Sequence, residues 1–454
     1  MSPPPRSSAG WFRGLPLWTF LTTYLVTCVA AAMPLALDYR PLRTLVAYFA
    51  GVTVPAEFDP THAYTFWTLL FGCPAFLALG YIATQRLTLA WCLRHGQVVL
   101  AGPESSRLPA AIFAISVTLA FTSLVRAGAF AGVQTWWDYG AWVQARWALF
   151  AKLTYFEFTN LYVWLPVSTA WLMATSLMEQ RRNAWLTWLP LVLAGTVTLL
   201  LYQKKSLLSL LLLAIFTIAI QTVLSGRWKK TSTHWAFAAV GAMTLVYLTM
   251  TVFPVWKDTT TRIEQGQAGR DLALESALEI QELLGEKRAA HVAAYALLSP
   301  FTRTSLPAFY YAEIFPSKKP FFGMDLAQDV LGIGSMPDDN RVVWAVMYPS
   351  TPGGSASAPF QFILYSQVGL SGALVLSALV GVVLAFAWTC LTSGRRSNPT
   401  QAVLGAILII FAVYLAIDSP RNSLISSYGL AWGVLLVLVV RGIHLIFSRL
   451  TTPR

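Results

Sequence analysis

The sequence predicts an all-α polytopic membrane protein with about ten transmembrane helices and one large, mainly helical loop between the seventh and eighth. Three observations carry this expectation. Of the 454 residues, 56% are hydrophobic and only 11% are charged, against roughly 25% charged in an ordinary soluble domain. The apolar residues fall into continuous runs of about 20, the length a helix needs to cross a hydrocarbon core ~30 Å thick. These runs lack the period-two alternation of a closed transmembrane barrel, so helices are the spanning structure that satisfies its own backbone.

The runs lie at 15–37, 64–86, 108–126, 155–178, 184–202, 206–224, 235–253, 360–392, 401–418 and 426–446. The leader "RSSAGWFRG" before the first run reads as a cytoplasmic flank rather than a cleavable signal region. Short basic loops orient the rest: Arg181 with Arg182, Arg227 with Lys229 and Lys230, Arg395 with Arg396, and the tail Arg449 and Arg454 fit a cytoplasmic side. Parity then leaves both termini cytoplasmic and brings Arg86, Arg94 and Arg107 inside as well. The expected division is 1–253 with the first seven helices, 254–359 as a periplasmic loop or cap, and 360–454 with the last three.

The same parity creates an anomaly in "LYQKKSLLSLLLLAIF", Leu201 to Phe216. Its hinge joins two spans whose far ends both claim the cytoplasm, so Lys204 and Lys205 fall outside, against the usual charge bias. A lysine near the hydrocarbon boundary has a desolvation cost. Either both snorkel to headgroups, or they form an anion site with the free N–H groups that open the next helix.

Residues 254–359 are too many for a simple connector and carry scattered cations, among them Arg270, Arg303, Lys318, Lys319 and Arg341. In "RDLALESALEIQELLGEKRAAHVAAYALL", Glu275, Glu279, Glu282 and Glu286 recur at helical spacing, which predicts a helix with a solvated acidic stripe. The following segments, through "MYPSTPGGSASAPFQF", mix aromatics, Pro and Gly with isolated charges. Such a surface suits sugar rings and phosphates, although its rings also have the option of packing on one another. A second outer segment, 127–154, holds Trp136, Trp137, Tyr139, Trp142 and Trp147 and suits an element lying among headgroups.

Cys28, Cys73, Cys92 and Cys390 are widely separated with no histidine at ligand spacing, so neither a metal site nor a disulfide framework is expected. The net charge of +12 does not come from basic blocks interleaved with aromatics, and no nucleic-acid partner is expected. H-E-x-x-H, P-loop and G-x-S-x-G motifs are all missing, since "GGSAS" lacks the last glycine.

Three stretches, in order, are "QKKSLLSLLLLAIF", "FTRTSLPAFYYAEIFPSKKPFFGMDLAQDVLGIGSMPDDNR" and "GGSASAPFQFILYSQVGLSGALV". Set in a many-span chain with one large outer loop, they resemble the Wzy-type O-antigen or exopolysaccharide repeat-unit polymerases, GT-C-like membrane glycosyltransferases. One departure is that the middle segment ends "MPDDNR" where a Pro-Arg ending is expected, so Arg341 lies further from Pro337 than the family pattern implies. The resemblance implies a bacterial inner-membrane enzyme that moves a glycan from its undecaprenyl-diphosphate carrier to the terminal sugar hydroxyl of another lipid-linked unit. The transfer is expected at the periplasmic face, without a metal or other cofactor.

In that chemistry the diphosphate is both the recognised anion and the leaving group, and fixed cations stabilise it. Lys204, Lys205, Arg270, Arg303, Arg341 and Arg421 are the candidates. A base for the attacking hydroxyl is sought among Asp339, Glu313, His291 and Asp338, and glycan or lipid contacts among Tyr310, Tyr311, Tyr348 and Trp137. Asp418 and Arg421, in "IDSPRNS", either pair across the proline turn or join the site. Expected partners are the carrier-linked oligosaccharide, the bilayer and a chain-length regulator protein. An O-antigen ligase using the same carrier is the nearest alternative. A flippase or transporter is the second, and it would want ionisable residues at mid-bilayer depth.

Overall fold

A computed structural model describes residues 12–50, 52, 60–95, 106–135, 139–179, 184–201, 204–225, 252–264, 282, 285–323, 339–349, 354–392, 398–424 and 429–451. Among them the regular elements are helical and no strand occurs. In chain order the helices are α1 (Leu15–Ala36), α2 (Arg40–Ala50), α3 (His62–Trp91), α4 (Arg107–Ala127), α5 (Tyr139–Phe150), α6 (Tyr155–Met178) and α7 (Ala184–Leu199). They continue with α8 (Lys204–Leu224), α9 (Phe253–Glu264), α10 (Arg288–Ile314), α11 (Asp339–Met347), α12 (Phe360–Thr392), α13 (Pro399–Leu415) and α14 (Leu430–Thr451).

Six of these, α1, α3, α4, α6, α8 and α12, are long and apolar enough to cross a bilayer, and α7, α13 and α14 contain shorter apolar stretches. Together they coincide with the predicted runs except 235–253, most of which lies outside the described residues.

Hydrogen bonds between helix ends fix which ends lie together. At one end, Trp388 Nε1 donates to the Phe12 carbonyl at 3.0 Å, and Tyr81 Oη and Gln85 Nε2 donate to the Arg13 carbonyl at 2.7 and 2.6 Å. The Ser106 amide donates to Glu179 Oε1 there at 2.8 Å. The starts of α1 and α4 therefore sit beside the far ends of α3, α12 and α6. At the opposite end, α10 packs over the last turns of α1, over α2 and over the start of α3, with Phe66 and Phe309 stacked at 4.5 Å. We call this the cap end.

The start of α8 belongs to the cap end too. Ser209 bonds Tyr414 near the end of α13, whereas Gly405, near the start of α13, abuts Trp388 and Ile220 toward the other end. Trp432 Nε1 donates to Tyr155 Oη at 3.0 Å, which brings the starts of α14 and α6 to the same level.

The tightest crossing is between α3 and α12. A Cβ on Gly80 would stand 2.2 Å from the Ala378 carbonyl oxygen, and one on Gly381 would stand 2.1 Å from that of Leu77. The two backbones touch, which only glycine permits and which is how apolar helices associate where hydrophobicity gives no preference between helix and lipid.

Two departures from the sequence expectation concern the cap. Gly285 takes a left-handed φ of +46°, and a 3-10 turn, Gly285–Lys287, precedes α10, so the helical pattern expected across "LGEKR" is interrupted there. Helix α10 then continues 27 residues through Pro300 and Pro307 to Ile314, taking in "FTRTSLPAFYYAEI", which lies beyond the helix the sequence predicts. Burial of Leu306, Phe309, Tyr311 and Ile314 outweighs the backbone bonds the prolines forgo.

Helix α12 is 33 residues long, about 50 Å, well beyond the ~30 Å of a hydrocarbon core. Gly369, at φ 73° and ψ −177°, interrupts it. Residues 360–366 ahead of this break are all buried in the cap-end core.

Candidate functional site at the cap end

Some of the sequence-predicted residues fall in two groups at the cap end. The first surrounds the start of α8. Lys204 is its opening residue and Lys205 the second; their side chains lie outside the described atoms. The N–H groups of a first helical turn have no partner within the helix, so backbone donors and two cationic residues coincide here. In the same turn Ser206 is buried and bonds Tyr162, and about one turn on Ser209 bonds Tyr414. Tyr162, Ser209, Tyr414, Pro166, Leu213 and Leu430 surround a narrow cavity.

Just beyond α13, the buried Asp418 accepts through Oδ1 from the Ser419 amide at 2.7 Å and from Asn422 Nδ2 at 2.9 Å. It thereby anchors the short helix Pro420–Leu424, which carries Arg421, whose side chain also lies outside the described atoms.

The second group sits under the cap. Asp339 opens α11 and is 8% exposed. Its Oδ1 accepts from the Asn340 amide and its Oδ2 from Ser366 Oγ, both at 2.9 Å. Asn340 Oδ1 accepts from Tyr311 Oη at 2.8 Å. The break at Gly369 removes the helical donors that would reach the Ser366 and Gln367 carbonyls, and the amides of Phe322 and Gly323 replace them at 3.0 and 2.8 Å. This is the accounting a buried backbone requires. Tyr365 Oη donates to the Phe315 carbonyl at 2.6 Å, so three successive residues of α12 bind the 315–323 segment.

The other predicted residues divide by position. Glu313 is half-buried and paired with Lys318. His291 Nδ1 faces Tyr39 Oη at 2.9 Å, joining the start of α10 to the end of α1. Glu313 and His291 are 22 residues apart on one helix, about 33 Å along its axis, so they cannot serve the same reacting atom.

Tyr310 and Tyr311 are packed in the core, Tyr311 completely, and Tyr348 lies over Trp344 with ring centroids 4.2 Å apart. Arg341 is exposed on α11. Arg303 is on α10 with its side chain outside the described atoms, while Arg270, Asp338 and Trp137 lie outside the described residues altogether.

Helix α13 stands between the groups: Ala412, Leu415 and Ala416 face the core under the cap, and Ile410 and Tyr414 face α6 and α8. Sequence reasoning missed Tyr162, Ser209, Tyr414 and Ser366. The available signal was a set of hydroxyls at the same level of neighbouring apolar runs.

Comparison with protein-family models, with curated proteins and with solved structures finds no match. The site is therefore read from its own chemistry. Two cationic residues at a helix opening suit an anion, the narrow cavity beside them has room for about one water-sized group, and the half-buried Glu313 is a carboxylate already paired with Lys318.

Proposed function

We propose that the protein polymerises undecaprenyl-diphosphate-linked oligosaccharide units at the periplasmic face of a bacterial inner membrane. The observation that carries this reading is that Lys204 and Lys205 open a membrane-length helix at the same end of the bundle as the cap. In this reading the chain crosses the bilayer about ten times with its termini in the cytoplasm, and residues 254–359 face the periplasm.

The donor diphosphate sits over the first turn of α8, where lysine charge and backbone donors stabilise it as it leaves. The acceptor hydroxyl attacks the anomeric carbon of the donor glycan as the bond to the diphosphate oxygen breaks, and its proton passes to a carboxylate. Glu313 is the more exposed candidate base, since Asp339 is buried and held by Ser366 and Asn340; to act it must release Lys318 and the acceptor must reach past α13 to the diphosphate. Asp339 is then a positioning residue that ties α11 to the broken turn of α12. Much of the rate comes from holding two lipid-tethered substrates in register.

Transport of the carrier lipid is the second reading, and one residue favours it. Arg441 is 4% exposed and lies about 16 Å along α14 from Leu430. A buried cation at such depth is a recurrent feature of transport pathways.

The deciding experiment mixes purified protein with undecaprenyl-diphosphate oligosaccharide. Products at multiples of the repeat mass support the polymerase. A single transfer without multiples supports a ligase, and vesicle flux without products supports transport.

A further inference from the structure

We propose that a second site at the cap end, between the end of α4 and the start of α6, binds the phosphate of an outer-leaflet phospholipid. The inference rests on the membrane-spanning part of the reading above and does not depend on glycosyl transfer.

A cavity of about 370 Å3 opens there. One wall is the stripe Leu119, Thr122 and Arg126 of α4, and the other is Phe156, Glu157 and Asn160 of α6. The lower wall is apolar, and exposed Ile115 and Leu119 continue it down α4, a track suited to an acyl chain. Exposed Trp147, Tyr155 and Phe156 lie nearby, the residue types that collect where water meets hydrocarbon.

The polar end is built around Arg126. Glu157 is locked in a capping box: its Oε2 accepts from the Thr154 amide at 2.9 Å and from Thr154 Oγ1 at 2.8 Å, while its own amide donates to that hydroxyl at 3.3 Å. It then holds Arg126, whose Nη2 donates to Oε1 and Oε2 at 2.8 and 2.6 Å and to the Lys152 carbonyl at 3.2 Å. All three of these bonds fall on one nitrogen. Among the described residues Nε and Nη1 have no partner, and the Arg126 side chain is 57% exposed. The carboxylate thus orients the guanidinium and leaves its other donors available, the fork that suits a phosphate.

Lys152, with Nζ 3.3 Å from the Ala127 carbonyl, makes two cations against one carboxylate. Deeper in the wall, Asn160 is 1% exposed and donates through Nδ2 to the Ser116 carbonyl at 2.9 Å. Among the described residues its Oδ1 has no donor; as an acceptor it suits a water rather than the phosphate itself.

The test is native mass spectrometry of the purified full-length protein titrated with dioleoyl phosphatidylglycerol, with dioleoylglycerol, and with undecaprenyl phosphate. Phosphatidylglycerol is expected to bind, and Arg126→Ala to weaken it roughly tenfold or more, the effect of losing charge-assisted hydrogen bonds. Arg40→Ala, which removes an exposed cation elsewhere at the same end, is expected to leave binding unchanged. Thr122→Phe fills the cavity while keeping both charges and is expected to give the same loss as Arg126→Ala; an unchanged unfolding transition in detergent for both variants separates the proposal from a folding defect. Equal binding by wild type and both cavity variants would overturn the proposal, as would equal binding of dioleoylglycerol. Undecaprenyl phosphate displacing phosphatidylglycerol from the wild type would also overturn it, by assigning the cavity to the carrier. No readout involves sugar transfer, so this inference and the polymerase reading fail by different results.

Discussion

Gly369→Ala tests how the cap is fastened to the bundle. At φ 73° and ψ −177° the glycine occupies a region that essentially excludes other residues, and holding alanine there costs about 1–3 kcal/mol. The new Cβ would also stand 3.3 Å from the Phe321 ring, a contact the neighbour must relax. The alternative is for α12 to straighten. The Ser366 and Gln367 carbonyls would then return to helical donors, and the amides of Phe322 and Gly323 would lose their acceptors, at roughly 1 kcal/mol for each lost bond. Both routes give a loss of about 2–3 kcal/mol.

The assay is unfolding in detergent compared with Gly442→Ala, a helical glycine of α14 with open space around it, where alanine is expected to be neutral or stabilising by up to about 1 kcal/mol. A second readout is tryptic cleavage after Lys318, which is exposed within the fastened 315–323 segment; it should accelerate if the segment detaches. A Gly369→Ala protein as stable as Gly442→Ala, with unchanged cleavage, would refute the reasoning.

The remaining predictions concern the bundle and the site. Gly381→Ala places a Cβ 2.1 Å from the Leu77 carbonyl oxygen and should destabilise the protein by about 1–3 kcal/mol through overpacking. Gly195→Ala, whose Cβ would meet only Leu207 at 3.9 Å, should be tolerated in the same unfolding measurement. Lys204→Ala combined with Lys205→Ala should leave membrane insertion unchanged and lower polymer formation on the order of a hundredfold, since charge aimed at a leaving group is often worth about 3 kcal/mol. A gel showing the normal product ladder from a well-expressed double variant would count against the diphosphate site.

Among the described residues, hydropathy was enough to find the six membrane-length helices and the three shorter apolar ones, because such a run must satisfy its own backbone: the run at 15–37 became Leu15–Ala36, and 155–178 became Tyr155–Met178. What it could not reveal depends on contacts between distant segments. "VGLSG" sits inside an apolar run and reads as uninterrupted helix; only the 320–323 segment, by supplying donors to Ser366 and Gln367, makes the break at Gly369 affordable. Pro300 and Pro307 argue locally against a helix, yet both lie within α10 because the faces beside them are buried.

The site divides in the same way. Lys204 and Lys205 were legible from charge and parity. The hydroxyl pair Ser209 and Tyr414, 205 residues apart, carried no local signal. Nor did Arg126 and Glu157, 31 residues apart, whose charges look isolated in the sequence. Asp339 was legible as a carboxylate among aromatics, but its burial and its bond to Ser366 were not.

The most direct measurement labels a single cysteine, Gln203→Cys in a chain whose four native cysteines are replaced, with a membrane-impermeant thiol reagent. Reaction in cells whose inner membrane is intact is the predicted result, because it puts the start of α8 at the exterior face where a lipid-carried diphosphate is presented. Reaction only after that membrane is broken would contradict the account.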